Sequence, residues 1–383
     1  MWVGGKMRKI AIVNRTNLKN YGSVLQAYAL CESIRSLGYD SEIIWEAGNV
    51  SKNYDLRIRK IISTGVKLLT HPRLISSTFS SVKYVQQQTI SEKTIEMFDR
   101  FVYSFVKRKF YPVKKMKKNQ VGKIYDKFVC GSDQVWCTTT TYVDPLMYLR
   151  FVPKEKRIAY APSLGRDYIP SYNARQIRKY INEIPYVSVR EYTGKKLIKD
   201  LTGRDVPVVV DPTFLLHKLK WDEVKIEPSI NQEYFLCYFL SIPTQQTQEK
   251  ILKYIEQTGK IVIALNSKLE FIENKVQVIY PDCGPREFIG YVSKANCVLT
   301  DSYHGMLFSI IYQRQFWSIE REYGEFDQSC RQLSVLKMLN LEERYLKLKD
   351  SISEREIDYT AVINKLQCEI EKSIQYIQVA LEK

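Results

Sequence analysis

The chain has 383 residues, with 58 Lys and Arg against 42 Asp and Glu, which gives a formal net charge of +16. Its hydrophobic share of 45% and charged share of 26% are typical of a globular protein. No apolar stretch is long enough to cross a bilayer, and residues 1–6 lack the apolar centre of a secretory signal. The length favours two domains over a single hydrophobic core.

Eight cysteines are scattered along the chain, and no two of them form a C-x-x-C pair. Most lie in apolar segments, as buried thiols do in proteins of reducing compartments. We therefore predict reduced cysteines in a cytoplasmic protein, with neither disulfides nor zinc ligands. No other segment has metal-ligand spacing, so no metal site is expected.

In chain order, the first half alternates short apolar runs with helical segments. A strand over residues 10–14 precedes a helix that ends at Gly38, and another strand follows over 41–45. Further apolar runs end in polar or turn residues, as the buried strands of a mostly parallel sheet do. These strands are expected at residues 128–130, 157–160, 186–189 and 207–210.

Residues 51–120 interrupt this alternation and carry 16 basic against 4 acidic residues, or +12. Apolar residues recur there at helical spacing, among them Ile58, Ile61, Ile62, Val66 and Leu69. Three interpretations stay open: a solvated helical excursion from the core, a surface for anionic lipid or a lipid-phosphate-linked substrate, and a nucleic-acid surface. No recognised nucleic-acid-binding motif accompanies the charge, so no nucleic-acid partner is expected.

A second alternating set begins near residue 234 and continues past residue 300. The pattern predicts an α/β protein of two Rossmann-like, doubly wound domains that face each other across a cleft. The expected boundaries are 1–222 for the first domain, with the basic excursion at about 51–120, and 223–345 for the second. Helices over 346–383 could return to the first domain.

His304 lies in Asp301-Ser302-Tyr303-His304-Gly305, between an apolar strand and an apolar helix. A turn after a strand lies at the carboxyl edge of the sheet, where ligands bind in open α/β folds. Histidine is also the side chain best suited to proton transfer near neutral pH. Two interpretations stay open: a catalytic acid/base, or a helix-start residue with Asp301 or Ser302 as the cap.

Asn20, Tyr21 and Gly22 lie between the first predicted strand and the first helix. Gly22 would let backbone N–H groups approach an anion at the start of that helix. The full G-x-G-x-x-G dinucleotide fingerprint is absent. A plain tight turn is the alternative.

The segment 131–136 contains several groups that could bind a sugar. Ser132, Asp133 and Gln134 offer a hydroxyl, a carboxylate and an amide, and Trp136 offers a flat ring. The alternative is a helix cap with a tryptophan that belongs to the core.

Arg190 directly follows an apolar strand. A guanidinium at this edge of a sheet can hold a carboxylate or a phosphate through two parallel hydrogen bonds. The alternative is an internal ion pair with Glu191 or Asp211.

Taken together, these segments resemble the polysaccharide pyruvyl transferase family. Their order and spacing match that family over most of residues 8–345. No single segment identifies the family, but the ordered set does so specifically. The matching residues are 20–22 with 25–30, 131–136, 159–165, 188–191, 211–216, 301–305 with 308–310, and Arg331 with 336 and 341–344.

The resemblance implies a GT-B-like fold and transfer of pyruvyl from phosphoenolpyruvate to two sugar hydroxyls, which gives a cyclic ketal without a cofactor or a metal. His304 is then the acid/base and Arg190 binds the donor. Some members have arginine where this chain has Ser302, and Arg321 or Arg331 could supply that charge. The implied substrate-binding residues are Asn20, Tyr21, Gly22, Ser132, Asp133, Gln134, Trp136 and Ser163.

The family further implies a lipid-linked acceptor in capsule or exopolysaccharide synthesis at the cytoplasmic face of the membrane. With that acceptor, the basic amphipathic region 51–120 suggests a cytoplasmic enzyme that attaches peripherally to the inner face of an anionic membrane. Two other functions stay open. One is a GT-B glycosyltransferase that uses a nucleotide sugar. The other is a glycan-binding protein without catalysis.

Overall fold

The computed structural model describes residues 2–3, 6–14, 19–46, 54–71, 90–112, 116, 120–321, 329–352 and 355–383. A short antiparallel hairpin of β1 (Trp2–Val3) and β2 (Lys6–Met7) stands before the first sheet. None of the helices within the described ranges is both long enough and apolar enough to span a membrane.

The N-terminal sheet has five parallel strands in the order β4-β3-β5-β6-β7. Counted along the chain, this is the order 2-1-3-4-5 of flavodoxin-like folds, whose ligand sites lie between the first and third strands. The strands are β3 (Lys9–Asn14), β4 (Asp40–Glu46), β5 (Lys127–Cys130), β6 (Arg157–Ala159) and β7 (Tyr186–Val187).

The C-terminal sheet has six parallel strands in the order β10-β9-β8-β11-β12-β13. This is the Rossmann order 3-2-1-4-5-6, whose topological switch point falls between β8 and β11. The strands are β8 (Tyr234–Tyr238), β9 (Ile261–Leu265), β10 (Val278–Ile279), β11 (Cys297–Thr300), β12 (Gln315–Ile319) and β13 (Tyr345–Leu346).

Helices connect and cover both sheets, as parallel strands require. The helices of the first half are α1 (Tyr21–Ser36), α2 (Tyr54–Thr70), α3 (Glu92–Phe105), α4 (Ser171–Asn182), α5 (Tyr192–Thr202), α6 (Pro212–Leu215) and α7 (Lys218–Val224). Those of the second half are α8 (Gln245–Glu256), α9 (Glu270–Glu273), α10 (Pro285–Lys294), α11 (Tyr303–Ile311), α12 (Cys330–Leu339) and α13 (Tyr359–Glu382).

The expected α/β class with two doubly wound sheets is confirmed. The strand expected over 207–210 is wrong, because that run forms only an isolated bridge between Val208 and Val189. Pro207 has no N–H to donate to a sheet ladder, which explains why pairing does not extend further.

The basic region 51–120 is not one solvated excursion. Its helix α3 packs into the core through Phe98, Phe101 and Val102, all nearly fully buried. The Thr94 hydroxyl accepts a hydrogen bond from the backbone N–H of Cys283 at 3.1 Å, so α3 joins the two domains. The expected features at residues 47–53, 72–89, 113–115 and 117–119 lie outside the described residues.

One contiguous hydrophobic core reaches both sheets. Tyr21 of α1 stacks on Phe288 of α10 with ring centroids 4.6 Å apart. Helix α13 starts against the C-terminal sheet, where the Tyr359 hydroxyl donates to the Arg314 carbonyl. It ends against the N-terminal sheet, where the Tyr376 hydroxyl donates to the Ala159 carbonyl at 3.0 Å.

Candidate functional site

The turn after β11 lies at the switch point of the C-terminal sheet and faces the start of α1. Thr300, the last residue of β11, donates its hydroxyl to the Tyr238 carbonyl at 2.6 Å. Ser302 then caps α11 by accepting a hydrogen bond from the Gly305 N–H at 3.3 Å. This cap sets His304 as the second residue of α11, at the junction of the two domains.

Gly22 is the residue of α1 that meets His304. A Cβ built on Gly22 would overlap Nδ1 and Cγ of the imidazole and would lie 2.7 Å from the His304 Cβ. Glycine is therefore required here by close approach. The imidazole occupies the side-chain space of Gly22, and the anion site expected at this helix start stays a prediction.

Asp211 joins His304 to Arg190. Its Oδ2 lies 3.6 Å from His304 Nε2 and accepts a hydrogen bond from Arg190 Nη1 at 2.6 Å. Its Oδ1 accepts from the N–H and the hydroxyl of Thr213. Burial alone would raise the pKa of Asp211, but His304, Arg190 and the Thr213 N–H together lower it well below its usual value. Asp211 is therefore a fixed negative charge beside the imidazole.

Arg190 is part of this buried network. Its side chain is 1% exposed, and its guanidinium also lies 3.4 Å from Asp133 Oδ1 and 4.3 Å from the ring centroid of Tyr303. Burial would lower its pKa, but Tyr303 and the carboxylates of Asp211, Asp133 and Glu191 outweigh that effect and raise it. The alternative that the sequence left open, an internal ion pair with Asp211, is therefore present, and a contact between Arg190 and the donor stays a prediction.

Of the other candidate donor-binding residues, Arg321 and Ser302 support the local structure, whereas Arg331 lies near the Tyr303 ring. Arg321 Nε lies 2.7 Å from Asp301 Oδ2, and its Nη2 donates to the Asp301 carbonyl at 2.7 Å, so Arg321 braces the turn before His304. Ser302 is the helix cap and offers no charge. Arg331, at the start of α12, is partly exposed and lies 5.7 Å from the Tyr303 ring centroid.

Two of the residues expected to bind sugar at the first loop support the fold instead. Asn20 caps α1 by accepting a hydrogen bond from the Ser23 N–H at 3.0 Å. Tyr21 is fully buried, and its hydroxyl donates to the Cys283 carbonyl at 2.9 Å. Tyrosine at this position therefore holds the domains together.

The segment after β5 also differs from expectation. Ser132 is fully buried and donates to the Ala161 carbonyl at 2.9 Å. Trp136 is 1% exposed, donates to the Met147 carbonyl and stacks on Tyr148, so it belongs to the core as the alternative predicted.

Asp133 turns toward the network because its backbone adopts a φ of 64°. Gln134 lines a cavity of about 150 Å³ together with Lys60, Asp144 and Tyr148. Burial raises the pKa of Asp144 to about 6. The hydrogen bond from the Leu146 N–H and the charge of Lys60 act in the opposite direction but are weaker.

Ser163 positions a carboxylate that the sequence interpretation left out of the site. Its hydroxyl donates to Glu191 Oε1 at 2.9 Å, and the Leu164 N–H donates to the same oxygen at 2.8 Å. Glu191 is fully buried. Asp211 and Tyr303 are the other central residues that were not selected, although both lie directly at predicted turns.

Several polar atoms of the site are buried without a hydrogen-bond partner in the part of the chain that the structure describes. They are Tyr303 Oη, His304 Nε2, Glu191 Oε2 and Arg190 Nε. Such atoms cost free energy unless a ligand or water satisfies them. Within the described ranges, no group of three or more His, Cys, Asp or Glu residues could hold a metal ion. The arrangement offers an acid/base beside a fixed carboxylate, with cations and phenols around it.

Residues 20–323 match the family model described as polysaccharide pyruvyl transferase. No protein of curated function matches the chain. Similar solved structures include the UDP-GlcNAc 2-epimerase from Neisseria meningitidis, at 11% identity over 98% of this chain and 94% of that one, with a TM-score of 0.48. The UDP-N-acetylglucosamine 2-epimerase from Rickettsia bellii has 12% identity over 97% and 98%, with a TM-score of 0.44. The glycosyltransferase SnogD from Streptomyces nogalater has 10% identity over 98% and 100%, with a TM-score of 0.46.

Proposed function

The chain belongs to the polysaccharide pyruvyl transferase family, and we propose that it transfers the pyruvyl group of phosphoenolpyruvate to two hydroxyls of one sugar. The observation that carries the proposal is the His304–Asp211 pair at the junction of two doubly wound domains, with the Nε2 to Oδ2 distance at 3.6 Å. An acid/base of this kind is what hydroxyl addition to an enol phosphate needs.

The proposed reaction has two additions at one carbon. Protonation of the methylene carbon of phosphoenolpyruvate makes the neighbouring carbon electrophilic, and the first sugar hydroxyl adds there and loses its proton. Phosphate then leaves that carbon, and the second hydroxyl adds and loses its proton. The products are a cyclic ketal and inorganic phosphate. His304 gives a proton to the methylene carbon and takes one from a hydroxyl, and the other hydroxyl proton leaves with the phosphate. Asp211, which lies beside Nε2, stabilises the charged imidazole.

The donor's carboxylate and phosphate need fixed cations. Arg331 is the partly exposed arginine beside Tyr303, and we assign it the direct contact with the donor. Arg190 acts through its partners, because its guanidinium binds Asp211 and lies over the Tyr303 ring, and both residues neighbour His304. Arg321 holds the turn that carries His304.

The test replaces His304 with Ala and measures phosphate release from phosphoenolpyruvate with candidate saccharide acceptors. Loss of an acid/base should lower turnover by roughly 10²-fold or more. His217→Ala is the matched control, because His217 is exposed at the start of α7, where its ring accepts a hydrogen bond from the Leu219 N–H. Near-normal turnover in His304→Ala would remove the histidine from the mechanism.

A binding measurement separates the donor classes. Phosphoenolpyruvate should raise the melting temperature of the protein, since a ligand that binds only the folded state stabilises it. A shift with a nucleotide sugar and none with phosphoenolpyruvate would favour a glycosyltransferase. Glycan binding without any phosphate release would favour a non-catalytic protein. We also propose that the acceptor is lipid-linked. Phosphate release should then be faster with a lipid-linked saccharide than with the same saccharide free in solution.

A further inference from the structure

Helix α2 rests on the N-terminal domain through its polar side. The Ser63 hydroxyl donates to the Thr141 carbonyl at 2.8 Å, and Thr64 and Thr141 join their hydroxyls at 3.0 Å. Lys67 is buried and donates to the Asn173 side-chain oxygen at 2.6 Å. The polar face of this helix is therefore the face that touches the protein.

The opposite side of α2 is aliphatic and faces outward. Leu69 is 83% exposed and Ile61 is 70% exposed. A Cβ built on Gly65, between them on the same face, would meet no atom of the described residues within 4 Å. We call this face the α2 stripe; it consists of Ile58, Ile61, Ile62, Val66 and Leu69, all exposed.

This orientation reverses the usual one. A surface helix of a globular protein buries its apolar face and exposes its polar face. Contiguous exposed apolar residues mark a surface for a partner or a membrane. Because the polar side of α2 is already used by Thr141 and Asn173, the helix cannot turn its stripe inward without breaking those hydrogen bonds.

From this geometry we infer that the α2 stripe lies in the headgroup–acyl boundary of an anionic membrane. Of the four basic residues of the helix, Lys67 is buried against Asn173 and Lys60 lines the cavity beside Asp144. Positions 57 and 59, both arginine, fall near the two edges of the stripe at about 100° per residue. An apolar face bordered by basic residues is the pattern of helices that lie in the plane of an anionic bilayer.

The size of the stripe argues against a second copy of the chain. With 17 residues at about 1.5 Å each, α2 is about 25 Å long. One face of a helix roughly 10 Å wide then offers about 250 Å². A stable protein interface buries about 800 Å² on each partner. Insertion into a bilayer has no such minimum area.

The inference is independent of the proposed chemistry, because α2 carries none of the residues assigned to catalysis. The test is sedimentation of the full chain with vesicles of phosphatidylglycerol and phosphatidylcholine, compared with phosphatidylcholine alone, at about 0.05 M and 0.5 M NaCl. We expect pelleting with the anionic vesicles that weakens at the higher salt concentration.

The variant Ile61→Gln with Leu69→Gln removes apolar area without adding charge, and we expect its vesicle affinity to fall by more than about tenfold. Leu219→Gln is the control, since Leu219 is 65% exposed on α7, outside the stripe, and it should bind as the unchanged protein does. Both variants should keep the same circular dichroism spectrum and phosphate release with a free acceptor.

Any of the following results would overturn the inference. One is recovery of the protein in the supernatant with every vesicle. Another is equal binding by the Gln variant and the unchanged protein, or equal binding to neutral and anionic vesicles. The last is a dimer in sedimentation velocity that the Gln variant loses, which would assign the stripe to a second copy.

Discussion

At the scale of single residues, Gly22 and His304 approach each other closely between the domains. Replacing Gly22 with Ala would force a methyl group into the imidazole, so the ring or α1 must move. We expect the free energy of unfolding to fall by about 1–3 kcal/mol, the usual cost of overpacking. Urea denaturation measures this, and turnover should fall as well because His304 is displaced.

The control for that change lies on α2. Gly65 has open space around its Cα, so Gly65→Ala should instead stabilise the protein by about 0.5–1 kcal/mol. The double variant Gly22→Ala with His304→Ala should recover part of the lost stability, since the clash with the ring is removed and only the contact with the Cβ of residue 304, at 2.7 Å, remains. Additive effects of the two substitutions would show that the residues do not touch.

Asp144 gives stability a pH dependence that does not involve the His304 network. Because burial raises its pKa to about 6, the folded state binds more protons than the unfolded state between about pH 4 and pH 6. Its contribution therefore falls as the pH rises through this window and stays low above it. Asp144→Asn can still accept from the Leu146 N–H.

We therefore expect Asp144→Asn to gain stability over the unchanged protein at pH 7.5 and to gain little at pH 4. Guanidinium denaturation at both pH values measures the difference. A gain of the same size at both would mean that the carboxyl is not shifted.

At the scale of elements, the strands and their polar ends could be predicted, because buried parallel strands are apolar runs that stop where the chain turns. The role of each polar end could not. Ser132 and Ser163 have the composition of ligand-binding residues, yet they satisfy carbonyl and carboxylate groups within the loops themselves. Only the three-dimensional partner decides between these uses.

The orientation of an amphipathic helix is similarly hidden from sequence. The spacing of Ile61 and Leu69 predicted a helix with an apolar face, and such a face is normally buried. In the structure, Ser63 and Lys67 bind partners on the protein, and the apolar face therefore points outward. Because these partners lie more than 70 residues away in the chain, the sequence of α2 alone does not reveal them.

A buried serine hydroxyl contributes to the junction of helix α13 with the N-terminal domain, beside the hydrogen bond of Tyr376. Ser373 is 1% exposed, accepts a hydrogen bond from the Val210 N–H at 3.0 Å, and donates to the Glu369 carbonyl. Ser373→Ala would leave the buried N–H without that acceptor, at a cost of about 1–3 kcal/mol. Thermal denaturation measures it. The neighbouring Lys372→Ala, an exposed control, should leave the melting temperature unchanged; an equal loss in both would show that the buried bond is not the cause.

At the scale of the whole molecule, the two sheets share one hydrophobic core and are not joined by a linker alone. Tyr21 stacks between Phe98 and Phe288, at 5.0 and 4.6 Å, and so packs elements of both domains onto one ring. Helix α13 crosses from one sheet to the other. Neither domain can then unfold without exposing the apolar surface of its neighbour.

This shared core predicts a single calorimetric unfolding transition, with equal calorimetric and van't Hoff enthalpies, although proteins with two domains commonly show more than one. Tyr21→Phe keeps the ring stack and removes the donor to the Cys283 carbonyl. It should lower the free energy of unfolding by about 1–3 kcal/mol and so lower the midpoint of that one transition, without dividing the transition. Two resolved transitions in the unchanged protein would mean that the sheets unfold independently, and a divided transition only in Tyr21→Phe would mean that this hydroxyl alone couples them.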